Sequence, residues 1–279
     1  MEWVKRRPAP ELQSLIAGYV GYRLAGFPAG LHRGLPSRFM TLIVGIGPAI
    51  DVVAQCDAAQ APARYRCVVG GLQDAPALIA HDGFQEGVAI HLSPVGSRAL
   101  LGMPAGELWN VSLELDDLAG AIGGELWERL QGSAGWDRRF AIVDDVLGRL
   151  AGDDGLEPAL GRAWQLVTAS HGTQPIAEVA DALGWSRQHF TRRFQGEFGL
   201  TPKRAARIVR FERAQRMLRA TPSFVSIAQV AAACGYYDQA HMSRDFVALA
   251  GCPPGRLLAD EDLPSFQDTT GAEPAPSAA

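Results

Sequence analysis

The chain has 279 residues, 47% hydrophobic and 20% charged, with a mean hydropathy near zero. At about 150 residues per domain this predicts two domains, each with enough apolar material for a core. No run of 18 or more apolar residues offers a transmembrane helix. The start, Met1-Glu2-Trp3-Val4-Lys5-Arg6-Arg7, has no apolar stretch or small-residue cleavage site of a secretory signal, so a cytoplasmic location is expected.

The formal net charge of −4 hides a segregation. Residues 1–160 carry a net charge of −6, residues 161–258 a net charge of +7, and residues 259–279 five acidic side chains with no basic one. A basic segment between acidic flanks points to a polyanionic partner. Cys56, Cys67, Cys234 and Cys252 are dispersed, with no C-x-x-C pair, and are expected to be reduced thiols.

In chain order, the first 115 residues read as strands and turns. Phe39–Val44, Ile50–Val53, Cys67–Val69 and Gly87–Leu92 are short apolar runs closed by Gly, Pro or Ser. Such punctuation predicts an antiparallel sandwich or barrel of cupin-like type. From about residue 116 the period becomes helical. Leu118, Ile122, Leu126 and Leu130 make one stripe, and Phe140, Val143, Leu147 and Leu150 a second. These helices can cover the sheet or pair with another subunit. Gly152-Asp153-Asp154-Gly155 is the expected linker. The predicted division is a sensing domain over 1–155, a DNA-binding domain over 160–260 and a disordered tail over 264–279.

An internal repeat organises the basic segment. Ile176–Gly184 and Ile227–Gly235 agree at six of nine positions at an offset of 51, and after the glycine the offset is 52. His189, Arg192, Phe194, Gly199 and Pro202 then match His241, Arg244, Phe246, Gly251 and Pro254. Each copy has the parts of a helix-turn-helix. In the first, Pro175 suits the first helical position. Ile176, Val179, Ala180 and Leu183 form the buried stripe. Gly184 ends the helix, and Ser186 caps the next. Phe190, Phe194 and Phe198 then line the inner face, leaving Gln188, Thr191, Arg192 and Gln195 outside. In the second, Ser226 and Gln229 form a capping box, Gly235 stops the helix and Asp238 caps the next. Met242 and Phe246 face inward; Gln239, Ala240, Ser243 and Arg244 face outward.

Those outer faces suit the major groove, where Arg forks onto guanine, Gln pairs with adenine and Ala touches a thymine methyl. His189 and His241, near each helix start, suit phosphates better. Arg and Gln on one exposed helix are in many proteins merely solvated; two copies in register on a basic segment favour DNA. Between the units, Pro202 to Arg219 reads as one helix capped by Thr201. It spans about 27 Å at 1.5 Å per residue, against roughly 34 Å between successive major grooves on one DNA face. Its arginines are expected to serve solubility and contacts to the first domain, with Lys203 and Arg204 the candidates for phosphate.

The run from Ile176 to Leu258 resembles the DNA-binding domain of the AraC/XylS family of bacterial transcription regulators. The resemblance rests on Ile176-Ala177-x-Val179-Ala180, Gly184-Trp185-Ser186, Phe190-x-Arg192-x-Phe194 and Gly199-x-Thr201-Pro202, with their counterparts in the second copy. Cys252-Pro253-Pro254 departs from the usual Ser or Thr before Pro. The resemblance implies base contacts from Gln188, Thr191, Arg192, Gln239, Ala240 and Arg244, within a DNA-facing set that includes Ser186, His189, His241 and Ser243. It implies double-stranded DNA as partner, with RNA polymerase and a small-molecule effector as further candidates, in a monomer or homodimer. The segments Leu31–Ser37 and Leu92–Gly102 are similar to an uncharacterised N-terminal domain class of that family, which brings no ligand with it. The fold expected is α+β in two domains, β-rich first and all-α second.

Enzymatic readings fare poorly. His32, His81 and His91 stand alone, without the H-x-H pair of a metal-binding barrel. Ser37 and Ser93 lack a G-x-S-x-G setting, and Cys56 with Cys67 cannot form the zinc-bound cluster of a DNA-repair methyl acceptor. No catalytic residue, metal or cofactor is expected. Trp109, Trp127, Tyr65, Phe84 and His91 are candidates to line an effector pocket. The alternative is a constitutive regulator whose first domain only dimerises or binds a protein.

Overall fold

The computed structural model describes residues 1–153, 155–220 and 226–260. Its strands are β1 (Glu2–Arg6), β2 (Ile16–Ala25), β3 (Gly30–Gly34), β4 (Met40–Gly45), β5 (Ile50–Ala54), β6 (Ala63–Tyr65), β7 (Cys67–Gly70), β8 (Ala77–His81), β9 (Phe84–Leu92) and β10 (Ser112–Glu114). They form two antiparallel sheets, ordered β1-β2-β9-β4-β7-β10 and β3-β8-β5-β6. The expected β-rich first domain is thus two facing sheets. The apolar runs had marked β4, β5, β7 and the end of β9. β1 and β3 were not marked, because edge strands interleave polar residues; β8 (Ala-Leu-Ile-Ala-His) and β2, the longest, were also missed.

Alternation in the larger sheet explains its near-continuous burial. Tyr19, Leu42, Val44, Val69, Val88 and Ile90 join one core with the helices, whereas Val20, Tyr22, Ile43, Val68 and Ala89 pack in the space facing the smaller sheet. A sheet covered on both faces needs apolar side chains at successive positions, so β9 is buried from Gly87 to Leu92.

The covering helices are α1 (Ser97–Leu101), α2 (Leu115–Ala119), α3 (Ile122–Gln131) and α4 (Trp136–Leu150). The stripe beginning at Leu118 is broken between α2 and α3 by Gly120, whose φ of 64° is left-handed. Leu126 and Leu130 of α3 and Phe140, Val143 and Leu147 of α4 are buried in the sheet's core, so these helices cover the sheet. Asp144 of α4 ties them to the first strands, accepting from the Tyr19 hydroxyl at 2.8 Å, the Ala9 N–H at 2.9 Å and Arg6 at 3.0 Å.

The predicted linker is followed by α5 (Pro158–Ala169), which carries no sequence signal used above. Gly152 donates to the Ala99 carbonyl at 3.0 Å, so the connection is fastened at its start. Then come α6 (Ile176–Ala182), α7 (Arg187–Phe198), α8 (Pro202–Ala220), α9 (Ile227–Ala233), α10 (Gln239–Ala250) and α11 (Pro254–Asp260). The tail predicted over 264–279 lies outside the described residues. Among those described, no helix is long and apolar enough to cross a membrane.

One core runs through both halves, and a polar seam accompanies it. Arg98 of α1 forks onto Glu197 of α7, with N···O distances of 2.8 and 2.9 Å. Glu212 of α8 is 2% exposed and accepts from the Arg38 N–H at 3.2 Å, with the guanidinium 3.6 Å away. Arg204 lies 3.5 Å from Asp74. Between these pairs, a 3-10 turn at Ala105–Leu108 brings Gly106 against Gly199, the left-handed end of α7. A Cβ on Gly199 would lie 2.7 Å from the Trp109 Cβ and 3.0 Å from the Gly106 Cα.

Gly199→Ala therefore combines an unfavourable φ of 79° with overpacking, and should destabilise the full chain by about 1–3 kcal/mol. Chemical denaturation measures this, and an unchanged midpoint would contradict the close approach.

Candidate nucleic-acid interface

Each repeat unit is built by local sequence. Gly184 and Gly235 take φ of 69° and 76° after α6 and α9, turning the chain into the next helix. Pro175 is the N-cap of α6 rather than its first residue. The Ser186 hydroxyl accepts from the His189 N–H at 3.3 Å to cap α7, and Asp238 accepts from the His241 N–H at 2.6 Å to cap α10. The capping box on α9 is complete: Gln229 N–H donates to Ser226 at 3.2 Å and Ser226 N–H to the Gln229 side chain at 2.8 Å.

Inward faces fix each second helix. Phe190, Phe194 and Phe198 are fully buried, with Trp164 of α5 stacked on Phe194 at 5.8 Å between ring centres. Met242 and Phe246 are equally buried, Phe246 lying edge-on to Phe211 of α8 at 4.8 Å. The two outer faces are thereby fixed. On α7 Gln188, Arg192 and Gln195 are exposed and Thr191 is half-buried; on α10 Gln239, Ala240 and Arg244 are exposed and Ser243 is half-buried. His189 and His241 are half-buried and each meets an aromatic edge-on, Trp185 at 4.9 Å and Tyr236 at 5.3 Å. Both imidazoles are thus oriented at a helix N-terminus, where backbone N–H groups favour anions. All ten predicted residues fall on or beside the two outer faces.

Three of the six arginines on the helix between the units meet partners within the protein. Both candidates for phosphate on α8, Lys203 and Arg204, are exposed, and Arg204 lies 3.5 Å from Asp74 of the first domain. Arg207 bonds Asp245 at 2.7 Å. Arg210 donates to the Gly172 carbonyl at 2.7 Å and lies over the Tyr236 ring. Arg193, on the exposed side of α7, pairs with Glu157. Arg244 turns back along its own helix, its Nε 3.3 Å from the Ala240 carbonyl. Sequence reasoning missed Tyr237, which is 93% exposed at the mouth of α10. Its signal was present, because it is the residue by which the repeat's offset grows from 51 to 52.

The first domain holds a cavity of about 80 Å³ between its sheets, bordered by Tyr22, His32, Ile43, Val68, Gln73 and Gln85. Beside it a more open hollow of about 420 Å³, bordered by His81, Phe84, Asp51 and Arg64, shares Tyr22, Ile50 and Gln85. Of the aromatics proposed as pocket lining, Phe84 borders the hollow. The others are placed elsewhere. Trp109 packs on Gly199 at the seam, and Trp127 lies under Arg66. Tyr65 donates to the Ser112 carbonyl at 3.1 Å, and His91 is buried against Phe39. No group of His, Cys, Asp and Glu suited to a metal ion occurs among the described residues.

The two-sheet domain followed by a tandem helix-turn-helix defines a two-domain protein with a nucleic-acid-binding module at its second half. The helix-turn-helix domain family matches residues 163–260, and that segment is a helix-turn-helix domain of the AraC type. The HTH-type transcriptional regulator Rv1931c of Mycobacterium tuberculosis is 35% identical over 83 residues, 30% of this chain. The chain spans 31% of that relative's length. Among solved structures, ToxT from Vibrio cholerae aligns at 13% identity and a TM-score of 0.48, covering 88% of this chain and 98% of its own. An AraC-type DNA-binding domain protein from Chromobacterium violaceum aligns at 26% identity and 0.36, covering 40% and 99%.

Two measurements check this local construction. Ser226→Ala removes half of the capping box and should cost about 1 kcal/mol of stability in urea denaturation; no loss would mean that the cap is redundant. Burial, and secondarily His81, pushes the His32 imidazole down to about 4, against about 6.5 in an unfolded chain. The unfolded chain therefore binds the extra proton between those values. Stability from a neutral His32 is complete above about pH 6.5 and drains away as pH falls toward 4. His32→Gln should flatten the stability profile in that window, and an unaltered slope would contradict the assignment.

Proposed function

We propose that the chain is a sequence-specific DNA-binding transcription regulator that lays α7 and α10 into successive major grooves of one duplex. The observation that carries this is the pair of capped helices at either end of α8. Each is held from behind by fully buried aromatic or Met side chains, and each leaves a polar face outward. α8 has 19 residues and a length of about 28 Å, near the groove repeat. In this reading Gln188, Thr191, Arg192, Gln239, Ala240 and Arg244 meet bases, Ser243 supports them, and Ser186, His189 and His241 lie toward the phosphates. The protein acts in the cytoplasm as a monomer or homodimer, and as an activator it would also meet RNA polymerase.

We further infer that the first domain, over 1–155, modulates the DNA-binding domain, over 160–260, by way of a small-molecule effector. The inter-sheet cavity and the adjoining hollow supply room, and the Arg98–Glu197 fork on the back of α7 supplies a mechanical link to the first recognition helix. The alternative, a constitutive regulator whose first domain pairs with another chain, is favoured by the small volume enclosed between the sheets.

Arg192→Ala or Arg244→Ala should each cost about 1–3 kcal/mol at one operator position and relax specificity there. A uniform loss over all sequences would place that arginine on phosphate. Affinity should fall steeply with salt, and salt-insensitive binding would refute the DNA reading. Metabolite screening by thermal shift on the full chain separates the effector from the constitutive reading: the first expects a ligand that also changes DNA affinity, the second none.

A further inference from the structure

The two repeat units differ in a way that points to different reading chemistry. The first passes from Gly184 through Trp185 to its cap Ser186; the second passes from Gly235 through Tyr236 and Tyr237 to its cap Asp238. Trp185 and Tyr236 are structural equivalents, since each packs edge-on to the histidine one turn into the next helix. Ser186 and Asp238 are equivalents as caps. Tyr237 is therefore the added residue. Its backbone is pinned, with its N–H 3.5 Å from the His241 Nδ1 and the Asp238 cap next in sequence, while its side chain is 93% exposed. A single exposed aromatic needs no special account on an arbitrary surface, but this one stands at the entrance to a recognition helix, three residues before exposed Ala240.

The outer faces also differ in polarity. α7 exposes Arg187, Gln188, Arg192, Arg193 and Gln195, whereas α10 exposes Gln239, Ala240, Arg244 and Val247. Arg244 donates its Nε–H to the Ala240 carbonyl, which spends one of its donors within its own helix while its charge stays on the second face. What the second unit adds in return is apolar surface. In the major groove the one apolar handle on a base edge is the thymine 5-methyl group.

We propose that Tyr237, together with Ala240, is a specificity-determining residue that reads thymine methyl groups in the half-site under α10. The first half-site is then read by charge and hydrogen bonds, and the second adds methyl contacts to the base contacts of Gln239 and Arg244. This rests on the DNA-binding reading above.

The test enriches binding sites for the full-length protein from a random duplex pool. The best site is then resynthesised with deoxyuridine replacing each thymidine in turn. Uracil keeps every hydrogen-bonding group of thymine and lacks the methyl. The wild-type protein should lose about fourfold in affinity for each methyl contacted, the equivalent of burying one such group, at one or two positions of the second half-site. Tyr237→Ala, whose removed side chain is solvent-exposed, should lose the uracil penalty at the position that Tyr237 reads, while keeping any penalty under Ala240 and its preferences in the first half-site. Arg192→Ala should show the converse, losing preference in the first half-site and keeping the uracil penalty in the second. A uracil penalty absent from the second half-site overturns the proposal. So does a Tyr237→Ala variant that is weaker on every sequence equally, the mark of a sugar or phosphate contact. Failure to enrich any sequence would instead overturn the DNA-binding reading, and this proposal with it.

Discussion

The close approach of Gly106 to Gly199 is the contact on which the arrangement of the two halves depends. Gly199 ends the first recognition helix in a left-handed conformation, and with no Cβ on either residue the 3-10 turn of the first domain can reach the helix end itself. The short separation brings Arg98 within bidentate reach of Glu197, a carboxylate only 7% exposed. A carboxylate so placed is costly without a partner, so the fork and the glycine contact support each other. Glu212 repeats the device on α8 with Arg38. The core is continuous across this seam, which makes the first recognition helix a part of both domains.

The consequence is an asymmetry between units of nearly the same sequence. The first is gripped from behind by α1, by the 3-10 turn and by Trp109. The second is approached by the first domain at Pro76, beside Gly251. Two readers joined by one helix but held unequally need not respond alike to a change in the first domain. Three of the six arginines along α8, Arg204, Arg207 and Arg210, face Asp74, Asp245, and the Gly172 carbonyl with the Tyr236 ring. The segment's charge of +7 therefore overstates what faces outward.

Legibility in the sequence followed the range of the interactions concerned. The glycine stops, the caps at Ser186, Ser226 and Asp238, and the Phe190-Phe194-Phe198 stripe depend on residues within about two helical turns, and each was read at its place. β4, β7 and β9 were found because strands covered on both faces become unbroken apolar runs. β1 and β3 were not, because edge strands mix polar and apolar residues and resemble loops. The break at Gly120 was hidden by a stripe that kept its period across it. The aromatics suggested as pocket lining failed for a related reason: bulk and polarity mark a residue for burial but do not say against what. Trp109 is half-buried, packed against Gly199 of the other domain.

The sequence by itself determined the two copies of the helix-turn-helix, which residues of each turn inward, and which ten stand at or near the outer faces, because local periodicity and capping decide these. It also contained the extra residue Tyr237. Only the tertiary structure decided what that residue does not do, which is pack, since exposure is set by all the elements that could have covered it. Tertiary structure likewise decided that Arg204 faces Asp74, that Glu197 on a recognition helix belongs to the seam, and that the sheets leave a small cavity between them. Arg98 and Glu197 are 99 residues apart, and no pattern within a short window carries the distance between such pairs.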